Sequence, residues 1–149
     1  MPKFEIERKF LVIDDSFKES ASDFIDIEQG YLSRRKESTV RIRVAGGKGF
    51  LTVKGITLGT RREEYEYEIP AEDARRMLMM CEGKIISKRR WLVPFDGHIW
   101  EVDEFKGSLA QLTVAEIELP LESASFRLPP FIGKEVTGDP EYYNSNLCF

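Results

Sequence analysis

Cysteine and histidine are scarce in this sequence. Its 149 residues include two cysteines, Cys81 and Cys148, and one histidine, His98. The thiols lie far apart and outside any CxxC, so they read as reduced cysteines, and a thiolate-built metal cluster is excluded by count. A lone histidine without HExxH excludes the familiar zinc hydrolases, and no GxSxG elbow supports Ser-His-Asp chemistry. His98 follows the Asp96-Gly97 turn signal and is expected at the surface or partly packed. Neither Gly46-Gly47-Lys48-Gly49 nor Gly133-Lys134 completes the GxxxxGK[ST] of a P-loop; the first reads as a hairpin turn and the second as a loop. Long apolar runs are also missing, so no segment is expected to cross a bilayer. The start, Met1-Pro2-Lys3-Phe4-Glu5-Ile6-Glu7, has no hydrophobic stretch of signal-peptide length, which points to the cytoplasm. Low-complexity tracts, linkers and repeats are absent, and the length suits a single domain over 1–149.

Charge is abundant. Twenty-two Lys+Arg and 26 Asp+Glu give a net charge of −4, and charged residues reach 32%, above the usual share of about 25%. The hydrophobic share of 42% can fill a core, so disorder is not expected. The slight acid excess argues against nonspecific nucleic-acid binding. Hydrophobicity alternates with period 2, predicting strands over 4–12, 25–35, 39–44, 50–54, 63–69, 84–93, 98–105 and 112–119. Turn signals at Gly46-Gly47 and Asp96-Gly97 imply hairpins and antiparallel pairing. A helix is expected over 70–83, where Ala74, Met77, Leu78 and Cys81 keep helical spacing and Gly83 supplies a stop; Met79-Met80 reads as core filler. Asp139-Pro140-Glu141 has the signature of a short helix start, and a weaker helical turn falls within 15–24.

Residues i and i+2 of a strand share a face. Glu5, Glu7 and Lys9 therefore lie together, as do Arg41 with Arg43, Glu64 with Glu66 and Glu68, Lys88 with Arg90, Glu101 with Asp103, and Glu116 with Glu118. Lys54 lies opposite Leu51 and Val53. An ordinary wet face would interleave signs, whereas here sign is segregated by strand, leaving like charges adjacent unless opposite charge lies between strands. About eight strands with few covering helices would also expose edges unless the sheet closes. Closure with the charged face inward gives a lumen of nine carboxylates and six cations, which could not stay dry and unpaired. Arg and Lys rows bind phosphate oxygens, and carboxylate rows hold hard divalent cations. Both together suit a phosphate chain bridged to a metal. Trp91, Trp100, Tyr65 and Tyr67 fall on the opposite face and read as packing beneath helices or at a homodimer contact.

These residues resemble a known family. Glu5-Ile6-Glu7-Arg8-Lys9 is an ExExK motif near the N-terminus, similar to the hallmark of the CYTH, or triphosphate tunnel metalloenzyme, superfamily. The likeness continues through Arg41-Ile42-Arg43, Thr52-Val53-Lys54-Gly55 and Arg62-Glu63-Glu64-Tyr65-Glu66. It resumes at Lys88-Arg89-Arg90, Glu101-Val102-Asp103 and Glu116-Ile117-Glu118, and closes at Gly133-Lys134-Glu135-Val136-Thr137-Gly138-Asp139. The chain looks most like the short bacterial members built of the tunnel domain alone.

The resemblance implies an α+β fold, a closed eight-stranded antiparallel β-barrel with a few peripheral helices, whose lumen takes a small-molecule triphosphate with Mg²⁺ or Mn²⁺. It implies that Glu5, Glu7, Glu116 and Glu118 hold metal, with Asp103 in the same acidic cluster. Arg41, Arg43, Lys54, Lys88 and Arg90 would grip phosphate, with Lys9 near the scissile bond. Glu64 and Glu66 match supporting lumen acids. Lys134 and Glu135 match the C-terminal pattern at a tunnel mouth, and the Tyr31 hydroxyl is a candidate to reach Lys9. Glu66 or Glu118 would serve as base. Inorganic tripolyphosphate hydrolysis is the activity expected. Adenylate cyclase of the class IV type, thiamine, nucleoside or RNA 5′-triphosphatase, and a noncatalytic polyphosphate binder are the alternatives.

Overall fold

The computed structural model describes residues 3–148. The period-2 segments form β1 (Phe4–Val12), β2 (Asp23–Ser33), β3 (Thr39–Ala45), β4 (Lys48–Leu58), β5 (Arg61–Ile69), β6 (Glu82–Phe95), β7 (His98–Phe105) and β8 (Thr113–Glu118). All pair antiparallel, in the order β5-β4-β3-β2-β6-β7-β8-β1, and β1 returns to β5 to close an eight-stranded barrel. The hairpin turns follow the expected chemistry: Gly46 and Gly47, and Asp96 and Gly97, all take positive φ, as two-residue loops matched to strand twist require.

The closing seam is short. Phe4, Glu5 and Ile6 pair with Glu63, Arg62 and Arg61, after which β1 leaves β5. The second half of β1 instead pairs with a ninth strand, β9 (Ile132–Glu135), which had been expected to be a loop. Four residues are too few to show alternation, and their partner lies more than a hundred positions away. Gly133 permits the approach: a Cβ there would sit 2.7 Å from Ile13 Cγ2.

Three short helices lie outside the sheet or at its end: α1 (Phe17–Ser20), α2 (Ala71–Leu78) and α3 (Asn144–Leu147). The helix expected over 70–83 stops at Leu78, because its last turn tightens into bonds from Met79, Met80 and Cys81 N–H to the carbonyls three residues back. Cys81 thus lies past the helix. Met79 and Met80 are 87% and 71% exposed, so they are not the core filler expected; the early stop turns them away from the barrel. The Asp139 carboxylate accepts from Glu141 N–H and starts a 3₁₀ turn over Pro140–Tyr142.

Most of the hydrophobic core lies outside the barrel. Phe10, Val93, Trp100, Val102, Ala115 and Ile117 point outward from β1, β6, β7 and β8. Phe17 of α1 and Phe126 and Phe131 of the segment after β8 cover them. Trp100 is packed as expected, but against Phe10 and the non-helical segment bearing Phe126 rather than beneath a helix. A second cluster of Tyr31, Ile86, Phe105, Val114 and Cys148, with Leu109, Leu112 and Leu147 against it, plugs one end of the interior. The barrel therefore has one apolar end and one charged, open end. No helix among the described residues is long and apolar enough to cross a membrane.

Candidate active site

The inward parity positions the charged residues strand by strand. A cavity of about 170 Å³ is lined by Glu5 and Glu7 (β1), Arg41 and Arg43 (β3), Lys54 (β4), Glu64 and Glu66 (β5), Arg90 (β6), Glu101 (β7), Glu116 and Glu118 (β8), and Asn144. Every lining residue is polar or charged. A second cavity, bounded on one side by Tyr31 of the plug, shares Glu5, Glu7, Arg41, Lys54 and Asn144, and adds Lys9, Arg62 and the segments around Gly59 and Gly138. The expected residues thus largely converge.

Two acidic walls meet at β1 and β8. Glu7 lies directly across from Glu118, and Lys9 across from Glu116, while Glu101 of β7 lies across from Glu116. Like charges on one rung repel unless a cation intervenes. Burial, then Glu116 and Glu5, holds the Glu7 carboxyl well above its usual range. Burial and a hydrogen bond with Glu64 push Glu5 up to about 7 against the opposing pull of Lys54. Glu118 is raised by burial and by Glu5 and Glu101. Glu116 behaves oppositely: burial alone would raise it, but Lys9 and Arg90 hold it at about 2. Three carboxyls raised together mark a wall short of positive charge, and hard oxygen donors fit a hard divalent cation. Among the described residues no three acidic, histidine or cysteine side chains converge as a preformed metal cage. Glu5, Glu7, Glu116 and Glu118 are the lumen carboxylates that could contribute oxygen ligands to a divalent cation.

The cations divide by partner. Lys54 Nζ lies 2.6 Å from Glu5 and 3.2 Å from Glu64. Lys9 Nζ lies 3.4 Å from Glu116 and donates to the Tyr142 carbonyl at 3.1 Å. Burial would lower the Lys9 ammonium, but Glu116 and Glu7 outweigh it and keep the proton in place. Tyr31 lines the second cavity together with Lys9, and its hydroxyl accepts from Gln29 Nε2 at 3.5 Å. Arg41 donates to the Thr52 hydroxyl at 3.2 Å, and its buried Nε has no partner among the described residues.

Some expected site residues lie elsewhere. Asp103 is close enough to Glu116 to act on its charge but lines neither cavity: both of its oxygens are taken by Arg90, at 2.8 and 3.0 Å, and one also by Lys88, at 2.7 Å. Burial would raise Asp103, but Arg90 and Lys88 hold it far below the carboxylate range. Lys88 is 0% exposed and faces Phe105 of the plug, its ring centroid 5.4 Å away. Burial pushes that ammonium down to about 7 against the pull of Asp103. Lys134 and Glu135 are exposed on β9, outside the lumen, and Glu135 makes a two-pronged pair with Arg8 at 2.7 and 2.8 Å. Glu68 is exposed and lines neither cavity.

Arg62 and Gln29 join the lumen network without having been expected there. Arg62 shares the parity of Glu64, which could have found it; it donates to the Gly55 carbonyl at 2.6 Å and to Thr39 at 2.7 Å. Gln29 is fully buried and holds Arg43. No charge marks it in the sequence.

A closed antiparallel tunnel with facing carboxylate and cation rows defines a binder of polyanions bridged by metal. The CYTH domain family model matches residues 3–144, and the chain belongs to that family. It is 51% identical over 144 residues to an inorganic triphosphatase of Acetivibrio thermocellus, covering 96% of this chain and 92% of that one. An inorganic triphosphatase of Nitrosomonas europaea is 36% identical over 148 residues, with 97% and 96% covered. A crystal structure of an inorganic triphosphatase superposes with a TM-score of 0.68 at 33% identity, covering 97% of this chain and 93% of that chain. Triphosphatases of this family are in general divalent-metal dependent.

Proposed function

We propose that this protein hydrolyses inorganic tripolyphosphate to pyrophosphate and orthophosphate with Mg²⁺ or Mn²⁺, in the cytoplasm, where both thiols stay reduced. One tunnel domain over 1–149 carries the activity. The observation that supports it most is the cavity whose lining is wholly polar, with Arg41, Arg43 and Lys54 facing the carboxylates of β1 and β8. A linear polyanion and a cation together satisfy both walls; neither alone does.

The divalent ion, when bound by Glu5, Glu7, Glu116 and Glu118, supplies positive charge to the phosphate chain and to the transition state. Arg41, Arg43 and Lys54 grip nonbridging oxygens and stabilise the charge spread over the transferred phosphoryl group. Arg90 reinforces this from the inner end, oriented by Asp103. Lys9, kept protonated by Glu116 and Glu7, neutralises the departing phosphate. Glu118 or Glu66 positions the attacking water and takes its proton; the upward shift of Glu118 suits it to that step.

The test measures orthophosphate, pyrophosphate and cyclic AMP from tripolyphosphate and from ATP under Mg²⁺ and Mn²⁺. Equal orthophosphate and pyrophosphate from tripolyphosphate is the expected result. Cyclic AMP from ATP would move the assignment to a cyclase, and metal-dependent binding without products would leave a polyphosphate binder.

A further inference from the structure

The lumen cations differ in what holds them. Lys54, Lys9, Lys88 and Arg90 each touch at least one carboxylate. Arg43 does not. Both its Nε and Nη2 donate to the single carbonyl Oε1 of Gln29, at 2.9 and 2.6 Å. Gln29 is 0% exposed and lies across from Arg43 on the neighbouring strand. Arg43 lines the charged cavity, whereas Gln29 does not.

We infer that Gln29 is a positioning residue for triphosphate binding: its amide carbonyl fixes the Arg43 guanidinium toward the lumen without cancelling its charge. A carboxylate in the same place would give the same two-pronged geometry, as Asp103 gives Arg90, and would also neutralise the cation. An amide is the acceptor that orients and leaves the charge free. Independently of Gln29, burial, then Arg41 and Arg90, push the Arg43 guanidinium down to about 9, with Asp103 opposing. A guanidinium destabilised by burial and by its cationic neighbours is relieved by an incoming anion. The amide is itself held, since its Nε2 meets the Tyr31 hydroxyl at 3.5 Å in the plug.

This rests on the triphosphatase reading, and the test separates the two. Wild-type, Gln29→Glu and Gln29→Met proteins are compared for tripolyphosphate binding by calorimetry, for KM and kcat on tripolyphosphate, and for Tm. Gln29→Glu pairs with Arg43 and should raise Kd and KM by about tenfold or more, as expected for losing one free cationic contact. Its kcat should fall as well, because Arg43 also stabilises the charge on the transferred phosphoryl group, while its Tm should stay close to wild type. Gln29→Met leaves the guanidinium without an acceptor and should lower kcat/KM by about tenfold. A purely structural role would move Tm and leave the KM of Gln29→Glu unchanged; that result would overturn the inference. A wild type that binds tripolyphosphate but releases no orthophosphate would overturn the triphosphatase reading, and Gln29 would then be judged on the three Kd values alone.

Discussion

Replacing Asp103 with asparagine tests whether this carboxylate belongs to the fold rather than to a metal site. Asp103 is 2% exposed and is the shared partner of two buried cations, Arg90 and Lys88. An amide keeps the shape but removes the charge, leaving Lys88 without its ion partner and Arg90 with only the more distant Glu101 at 3.3 Å. Removing one member of a buried ion cluster typically costs about 3–5 kcal/mol. For a chain of this size, each kcal/mol moves Tm by about 2–4 °C, so the fall should be about 6–20 °C at pH 7. The sign of the pH dependence follows from the depressed carboxyl. Its stabilisation is full above the unfolded carboxylate value of about 3.9 and is lost as pH falls below that toward the folded value. The Tm gap between wild type and Asp103→Asn should therefore narrow on acidification. Thermal unfolding followed by circular dichroism, without metal or substrate, measures both effects. A Tm within about 2 °C of wild type, paired with lost stabilisation by added Mn²⁺, would refute the assignment and return Asp103 to the metal ligands.

Further outcomes follow from the same geometry. Burial lowers Lys88 to about 7, so the native state binds fewer protons than the unfolded state between that value and the free-lysine value of about 10.4. Stability from this group rises with pH across that window, and Lys88→Met should flatten the rise in pH-dependent melting curves. Lys54→Ala and Glu118→Ala should each cut tripolyphosphate turnover by about 100-fold or more with circular dichroism unchanged; near-normal rates in either would reject the lumen as the site. Chelation with EDTA should abolish orthophosphate release, and Mg²⁺ or Mn²⁺ should restore it in the same sample.

Alternation along the chain carried most of the fold. Once Glu5, Glu7, Arg41, Arg43, Lys54, Glu116 and Glu118 were sorted by parity, one charged face and barrel closure followed, because a strand permits only two faces. Parity does not encode depth along the barrel axis. Lys88 and Arg90 share a face, yet Lys88 is shut against Phe105 while Arg90 reaches the cavity. What separates them is the plug built by Leu109, Leu112 and Leu147 from distant segments. The same limit hid the role of Asp103, which parity grouped with Glu101. Gln29 carried no charge signal, and β9 was too short to alternate. Met79 and Met80 fit a helical pattern whose last turn tightens before them, a boundary set by local hydrogen bonds rather than by spacing.

The central claim is that one phosphate chain lies between the cation row and the acidic wall inside the barrel. A crystal soaked with tripolyphosphate and Mn²⁺ tests it most directly. The account predicts phosphate density in the lumen contacting Arg41, Arg43 and Lys54, with Mn²⁺ between it and the carboxylates of Glu5, Glu7, Glu116 and Glu118. Phosphate bound only on the outer surface, with the lumen cations still paired as they are now, would contradict it.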